Sequence, residues 1–208
     1  NELMQSLSGY IYADRLTLLF ELFGAFKNAT GSEESFDSFY NYGDTLLADF
    51  DETDKYLADA EDLFGNLAGL KSIDGRFNYL TEDQLAAIRR FWDTFDPDHV
   101  SEGQKTFLSL WEVLPEIYHD LRTRLEEKGL AYEGMAYRKV AEQLTGEGII
   151  NLLKYRKYVF VGFNALNRCE EKLFRYLKNS GMAEFFWDDD TWYTNNDLHE
   201  AGTFIRKN

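Results

Sequence analysis

YRKYVFVGFNALNRCEEKLFRYLK, residues 155–178, carries the pattern on which the fold turns. Its first part, Lys157 to Gly162, sets Tyr158, Val159, Phe160 and Val161 in one apolar run. Bounded by polar residues, such a run reads as a strand buried on both faces. A turn at Asn164 follows, then a helix over 166–179 that ends at Gly181, a natural left-handed cap. Ala183 to Trp187, with EFFW inside it, reads as a second buried strand. Strand, loop, helix, strand is the unit of a parallel α/β sheet, where function sits in the loop beyond the strand's carboxyl end. The loop here, Gly162-Phe163-Asn164-Ala165, holds no acid, no lysine and no nucleophile.

Upstream of that stretch the pattern is helical. Asp14 to Asn28 places Leu16, Leu19, Phe20 and Phe23 at helical spacing behind an Asp N-cap, which predicts an amphipathic core helix. Phe36, Phe39, Tyr40, Gly43, Leu47 and Phe50 form a second stripe, with Asp37, Asp44 and Asp49 off it. Those aromatics read as core packing; the functional alternative is a base-stacking platform. The chain is expected to turn at Asp51 and start a third stripe, Tyr56, Ala60, Leu63, Phe64 and Leu67. Thr81-Glu82-Asp83-Gln84 is a capping box ahead of a fourth helix, closed by Pro97. Glu102 to Lys128 is the longest helical pattern, with Phe107, Leu110, Leu114, Ile117, Leu121 and Leu125 on one side. Pro115 lies inside it and Gly129 ends it. Tyr132 to Leu144 is a further helix, and 145–156 a loop into the first strand. The expectation is an α/β fold, predominantly helical: residues 1–150 mostly helical, residues 151–208 strand-helix-strand-helix, packed as one compact unit on a small parallel sheet.

With 208 residues, 44% of them apolar and 16% aromatic, the chain can bury a sizeable core. Its net charge of -15 opposes attraction of the whole surface to nucleic acid or anionic lipid, so any DNA contact must be local. The charge is uneven. Residues 30–64 hold 11 acids against one lysine, whereas residues 151–180 hold 7 Lys and Arg against 2 Glu. The acids Asp49, Asp51, Glu52, Asp54, Asp59, Glu61 and Asp62 lack calcium-loop spacing and read as a solvated or partner-facing patch. A single cysteine, Cys169, excludes an intrachain disulfide and a cysteine-rich zinc site, as expected of a cytoplasmic protein; it reads as core. No run approaches a membrane span.

Candidate chemistry is sparse. Asp188-Asp189-Asp190, after the second strand, could hold Mg²⁺ for phosphodiester cleavage, although neighbouring side chains of an extended segment point to opposite sides. Glu170-Glu171-Lys172 matches the E-x-K part of a nuclease signature but sits in a helix, where it is a chance match. His99, His119 and His199 are widely separated, and no nucleophile elbow or phosphate loop is present. The best local feature is basic. Arg168, Lys172, Arg175 and Lys178 recur every three or four residues along one side of the helix, with Lys154, Arg156 and Lys157 just upstream. Such a stripe can contact phosphates or can simply be solvated.

KYVFVGFNALNRCEEKLF (157–174), GLAYEGMAYRKVAE (129–142), AIRRFW (87–92) and HEAGTFIRKN (199–208) together resemble the Bacteroidetes AddB-like proteins, which are inactivated superfamily 1 helicases with a PD-(D/E)XK nuclease domain. The resemblance covers nearly the whole chain. It implies a helical insertion packed on part of the first RecA-like domain of such a helicase, within a longer protein. In active relatives the equivalent strand ends in Asp-Glu, which hold Mg²⁺ through water and polarise the attacking water. On that resemblance Gly162 and Phe163 stand at those positions, which implies a degenerate site that does not hydrolyse ATP. Trp187-Asp188-Asp189-Asp190-Thr191-Trp192-Tyr193 stands where active relatives carry Gly-Asp-x-x-Gln-Ser-Ile-Tyr, a decayed motif that keeps its Asp and loses its Gln.

The function so implied is a non-catalytic scaffold in a subunit that processes DNA ends in recombinational repair. Its partners would be DNA and an AddA-like, ATP-driven helicase subunit. No cofactor is expected in this stretch, with Mg²⁺ serving only the nuclease domain elsewhere in the parent. Two other readings remain open at this point: an interaction module whose acidic helices dock a basic partner, and a metal-dependent phosphodiesterase at Asp188 to Asp190.

Overall fold

The computed structural model describes residues 1–68, 102–144, 149–163, 165–186 and 192. The expected helix at 81–97, the turn at Asn164, residues 145–148 of the connecting loop and the acids Asp188 to Asp190 with Thr191 lie outside the described residues. Among the described residues the chain is predominantly helical, with two small parallel sheets of two strands each. Their contacts divide it into two compact units, Asn1–Arg15 with Thr45–Ala58 and Leu125–Asn208, and Leu16–Asp44 with Asp59–Arg124.

In chain order the elements are α1 (Glu2–Ser8), β1 (Ile11–Tyr12), α2 (Arg15–Thr30), α3 (Phe36–Lys55) and α4 (Ala60–Ala68). Then follow α5 (Glu102–Glu127), β2 (Leu130–Ala131), α6 (Glu133–Gln143), a 3-10 turn (Ile150–Leu152), β3 (Tyr158–Val161), α7 (Arg168–Asn179) and β4 (Ala183–Phe186). Helix α1 and the β1–β2 pair carry too few residues for a periodic signal.

In the first unit, α1, α6 and α7 share a core of Met4, Leu7, Tyr137, Val140, Ala141, Ile149, Cys169, Leu173, Phe174 and Leu177. The strands β3 and β4 run parallel in the register Tyr158↔Ala183 to Val161↔Phe186. α7 begins in a full capping box: the Asn167 side chain accepts from the Glu170 N–H and the Glu170 carboxylate accepts from the Asn167 N–H. It ends at Gly181, whose φ of 68° is the left-handed conformation expected of that cap.

The strands correct one expectation. The apolar runs predict a first strand buried on both faces and a second buried strand, but the burial of each alternates. Tyr158, Phe160, Ala183 and Phe185 face inward, and Phe160 and Phe185 stack at 5.2 Å between centroids. On the other face Val159, Val161 and Phe186 are 56%, 67% and 56% exposed. A short apolar run does not reveal whether anything covers its second side.

In the second unit, α2 buries Leu18, Leu19, Leu22, Ala25 and Phe26, not the stripe expected of it. Leu19 is shared, but Leu16 and Phe20 are exposed. Phe39 is fully buried and meets Phe23, Phe26 and Tyr42 at centroid distances of 5.2, 5.0 and 5.1 Å. Phe64 of α4 meets Tyr118 of α5 at 6.4 Å. Helix α5 contains Pro115 and buries Leu114, Ile117, Tyr118, Leu121 and Leu125, close to the expected stripe.

Helix α3 does not turn at Asp51. It runs on to Lys55, and the turn comes at 56–59, where Leu57 takes a left-handed φ of 56°. Its buried stripe therefore extends through Phe50 to Thr53 and Asp54.

Candidate functional site

β3 ends at Val161, and the chain leaves it through Gly162 and Phe163. Gly162 sits there with φ 74°, and its N–H donates to the Phe186 carbonyl at 3.0 Å. A left-handed backbone suits glycine and strains any residue with a Cβ. Phe163 packs back onto the inner face, 6.1 Å from the Phe160 ring and 5.2 Å from that of Phe174. Its bulk fills the space between strand and helix instead of standing free at the strand end.

The four cations of α7 occupy the side opposite its buried residues Cys169, Leu173, Phe174 and Leu177. Arg168, Lys172, Arg175 and Lys178 are all exposed, and they span about 15 Å along the helix axis. Arg168 pairs with Glu171 at 3.3 Å, so one of the four is partly neutralised. Lys154, Arg156 and Lys157 are exposed ahead of β3, and Lys157 pairs with Glu184 across the sheet at 2.5 Å. His119 lies on a polar face, 3.2 Å from Glu61.

Among the described residues a dense polar cluster lies elsewhere, between the end of α3 and α6, and no local sequence signal marks it as a group. Asp54 is fully buried and accepts from Arg138 Nε at 2.5 Å and from the Tyr132 hydroxyl at 2.5 Å. Arg138 Nη2 also donates to the Thr53 and Ala58 carbonyls at 3.0 and 2.6 Å, tying down the turn that closes α3. Lys55 bridges Asp51 at 2.7 Å and Glu133 at 2.8 Å, and Asp51 Oδ1 accepts from the Gly134 N–H at 2.6 Å. Its acidic neighbourhood predicts a solvated Asp54, but its place four residues on from Phe50 puts it on the buried stripe.

No family model, curated protein or solved structure matches the chain. Among the described residues no group of three or more His, Cys, Asp or Glu could hold a metal ion, and no helix is long and apolar enough to cross a membrane.

The cluster is built for cohesion. Burial tends to lower the Lys55 pKa, but its bonds to Asp51 and Glu133 outweigh this and raise it. Burial raises Tyr137, whose hydroxyl donates to Asn1 Oδ1 at 2.6 Å. Burial, then the nearby Glu133 charge, pushes Tyr12 up to about 12; its buried hydroxyl has no hydrogen-bond partner among the described residues. Burial likewise pushes the Cys169 thiol up to about 12.

Each of these groups holds its proton more tightly folded than unfolded. Across the window from their ordinary values, 9.0 for Cys169 and 10.0 for Tyr12, up to about 12, the folded chain binds more protons, so stability falls as pH rises. Lys55 acts in the same sense: its contribution is complete below 10.5 and is lost as pH climbs through its raised folded value. Urea midpoints measured across that window should fall steadily, and Tyr12→Phe should flatten the fall. A flat wild-type profile would show that these groups are solvated.

Proposed function

We propose that this chain is a non-catalytic, helicase-like scaffold of the AddB type, in which the exposed cationic side of α7 follows DNA phosphates. The observation that carries this reading is the closed end of β3. Gly162 in a left-handed conformation and Phe163 folded onto the core stand where a motor would need a metal-holding acid and a water-polarising acid. On this reading the parent protein acts on DNA ends in recombinational repair. An AddA-like partner supplies ATP-driven movement, and a nuclease domain outside these residues uses Mg²⁺.

The cations support a backbone contact rather than base recognition. Four exposed charges on one helix face can replace condensed counterions, and they suffice only locally in a chain of net charge -15. Lys154, Arg156 and Lys157 are secondary contributors, Lys157 weakened by its bond to Glu184.

Fluorescence anisotropy with single-stranded and forked DNA tests this. The wild-type chain should bind at low salt with a steep salt dependence. A variant with Arg168, Lys172, Arg175 and Lys178 changed to Gln should bind weakly, with a single-strand salt slope lower by about 3, four contacts at about 0.7 each. Absence of binding at low salt, or an unchanged slope in the variant, would remove DNA from this face.

A further inference from the structure

A second surface points to a different partner and does not rest on the helicase-like reading. Helix α2 carries two apolar stripes. One, Leu18, Leu19, Leu22, Ala25 and Phe26, is buried. The other, Leu16, Phe20 and Phe23, lies well round the helix from it, and Leu16 and Phe20 remain 51% and 52% exposed. Phe20 stacks flat on Phe36 of α3, with centroids 4.3 Å apart and planes 14° apart, and Phe36 meets Tyr40 edge-on at 6.1 Å. Tyr40 is itself 44% exposed. The result is a continuous ridge of large apolar side chains facing solvent.

The surroundings of the ridge are acidic. Glu33 lies three residues before Phe36 and Asp37 directly after it, and both are exposed. Lys27 leans over the Phe23 ring at 5.6 Å. Phosphates are repelled by such a rim, so the base-stacking alternative raised for these aromatics loses its electrostatic support. A cationic side chain gains twice, from the carboxylates and from the exposed ring faces.

We infer that Leu16, Phe20, Phe36 and Tyr40, rimmed by Glu33 and Asp37, form a docking surface for a basic amphipathic helix of a protein partner. The apolar stripe of the incoming helix covers the rings, which act as anchors, and its Lys and Arg meet the acidic rim.

The probe is a fluorescein-labelled leucine/lysine peptide of about five helical turns, compared with a peptide of identical composition permuted to lose its amphipathic period. The wild-type chain should bind the first at least about tenfold more tightly than the second. Phe20→Ser with Tyr40→Ser should cost at least about tenfold in affinity. Glu33→Lys with Asp37→Lys, which leaves the aromatic packing intact, should weaken binding and remove its salt dependence. Equal binding of the two peptides, or affinity unchanged in both variants, overturns the proposal. So does a dimer in sedimentation that Phe20→Ser with Tyr40→Ser abolishes, which gives the ridge to a second copy. Loss of oligo-dT binding in that same variant gives it to nucleic acid and overturns the proposal equally.

Discussion

Arg138→Met is expected to destabilise the chain by about 3–5 kcal/mol, because it strands a buried carboxylate. Asp54 has no solvent-exposed surface, and Arg138 is only 13% exposed, so neither charge can recover its hydration while the fold persists. Tyr132 would still donate to Asp54, and the Thr53 and Ala58 carbonyls would lose the Arg138 N–H. Arg138 also lies 3.7 Å from Glu142, but that carboxylate is largely exposed and adds little. Arg138→Lys keeps the charge but not the planar fork that reaches the carboxylate and both carbonyls, so its loss should be intermediate. Denaturant titrations of Arg138→Met, Asp54→Asn and the double variant measure the coupling. The double variant should cost well below the sum of the singles, since the unpaired charge disappears with its partner. An Arg138→Met chain within about 0.5 kcal/mol of wild type would mean that the pair is solvated.

Gly134→Ala reverses the usual sign of a glycine replacement in a helix. Alanine should gain about 1 kcal/mol there by propensity alone. At Gly134, however, an added Cβ falls far inside contact distance of the Asp51 carbonyl oxygen, which belongs to the backbone of α3 and cannot swing aside. The helices must separate, stretching the Gly134 N–H bond to Asp51 and the Lys55 bridge to Glu133. Overpacking of this kind typically costs about 1–3 kcal/mol, and the broken polar contacts add to it. A net loss of about 2 kcal/mol is expected in equilibrium unfolding. A stabilised Gly134→Ala chain would show that α3 and α6 do not approach closely.

Both predictions lie within GLAYEGMAYR, residues 129–138. Every chemically distinctive residue in it serves packing. Gly129 takes a φ of 65°, Leu130 and Ala131 form β2, Tyr132 and Arg138 hold Asp54, Glu133 holds Lys55, and Gly134 admits the α3 backbone. The segment therefore docks α6 against the end of α3.

The sequence by itself determined the elements whose signal is local. The strand-helix-strand run from Tyr158 to Phe186, the left-handed cap at Gly181 and the long α5 with its Leu114 to Leu125 stripe follow from nearest-neighbour sterics and helical period, which any stretch of chain carries within itself. The exposed cations of α7 were legible for the same reason, as the polar remainder of an amphipathic helix. Only the tertiary structure decided which apolar stripe of α2 is core, because two stripes of similar composition compete and the choice depends on what packs against them. It also decided that the outer faces of β3 and β4 stay exposed and that Asp54 is buried. Burial of a charge is set by a partner distant in sequence, here Arg138, 84 residues away, and no local pattern encodes that meeting.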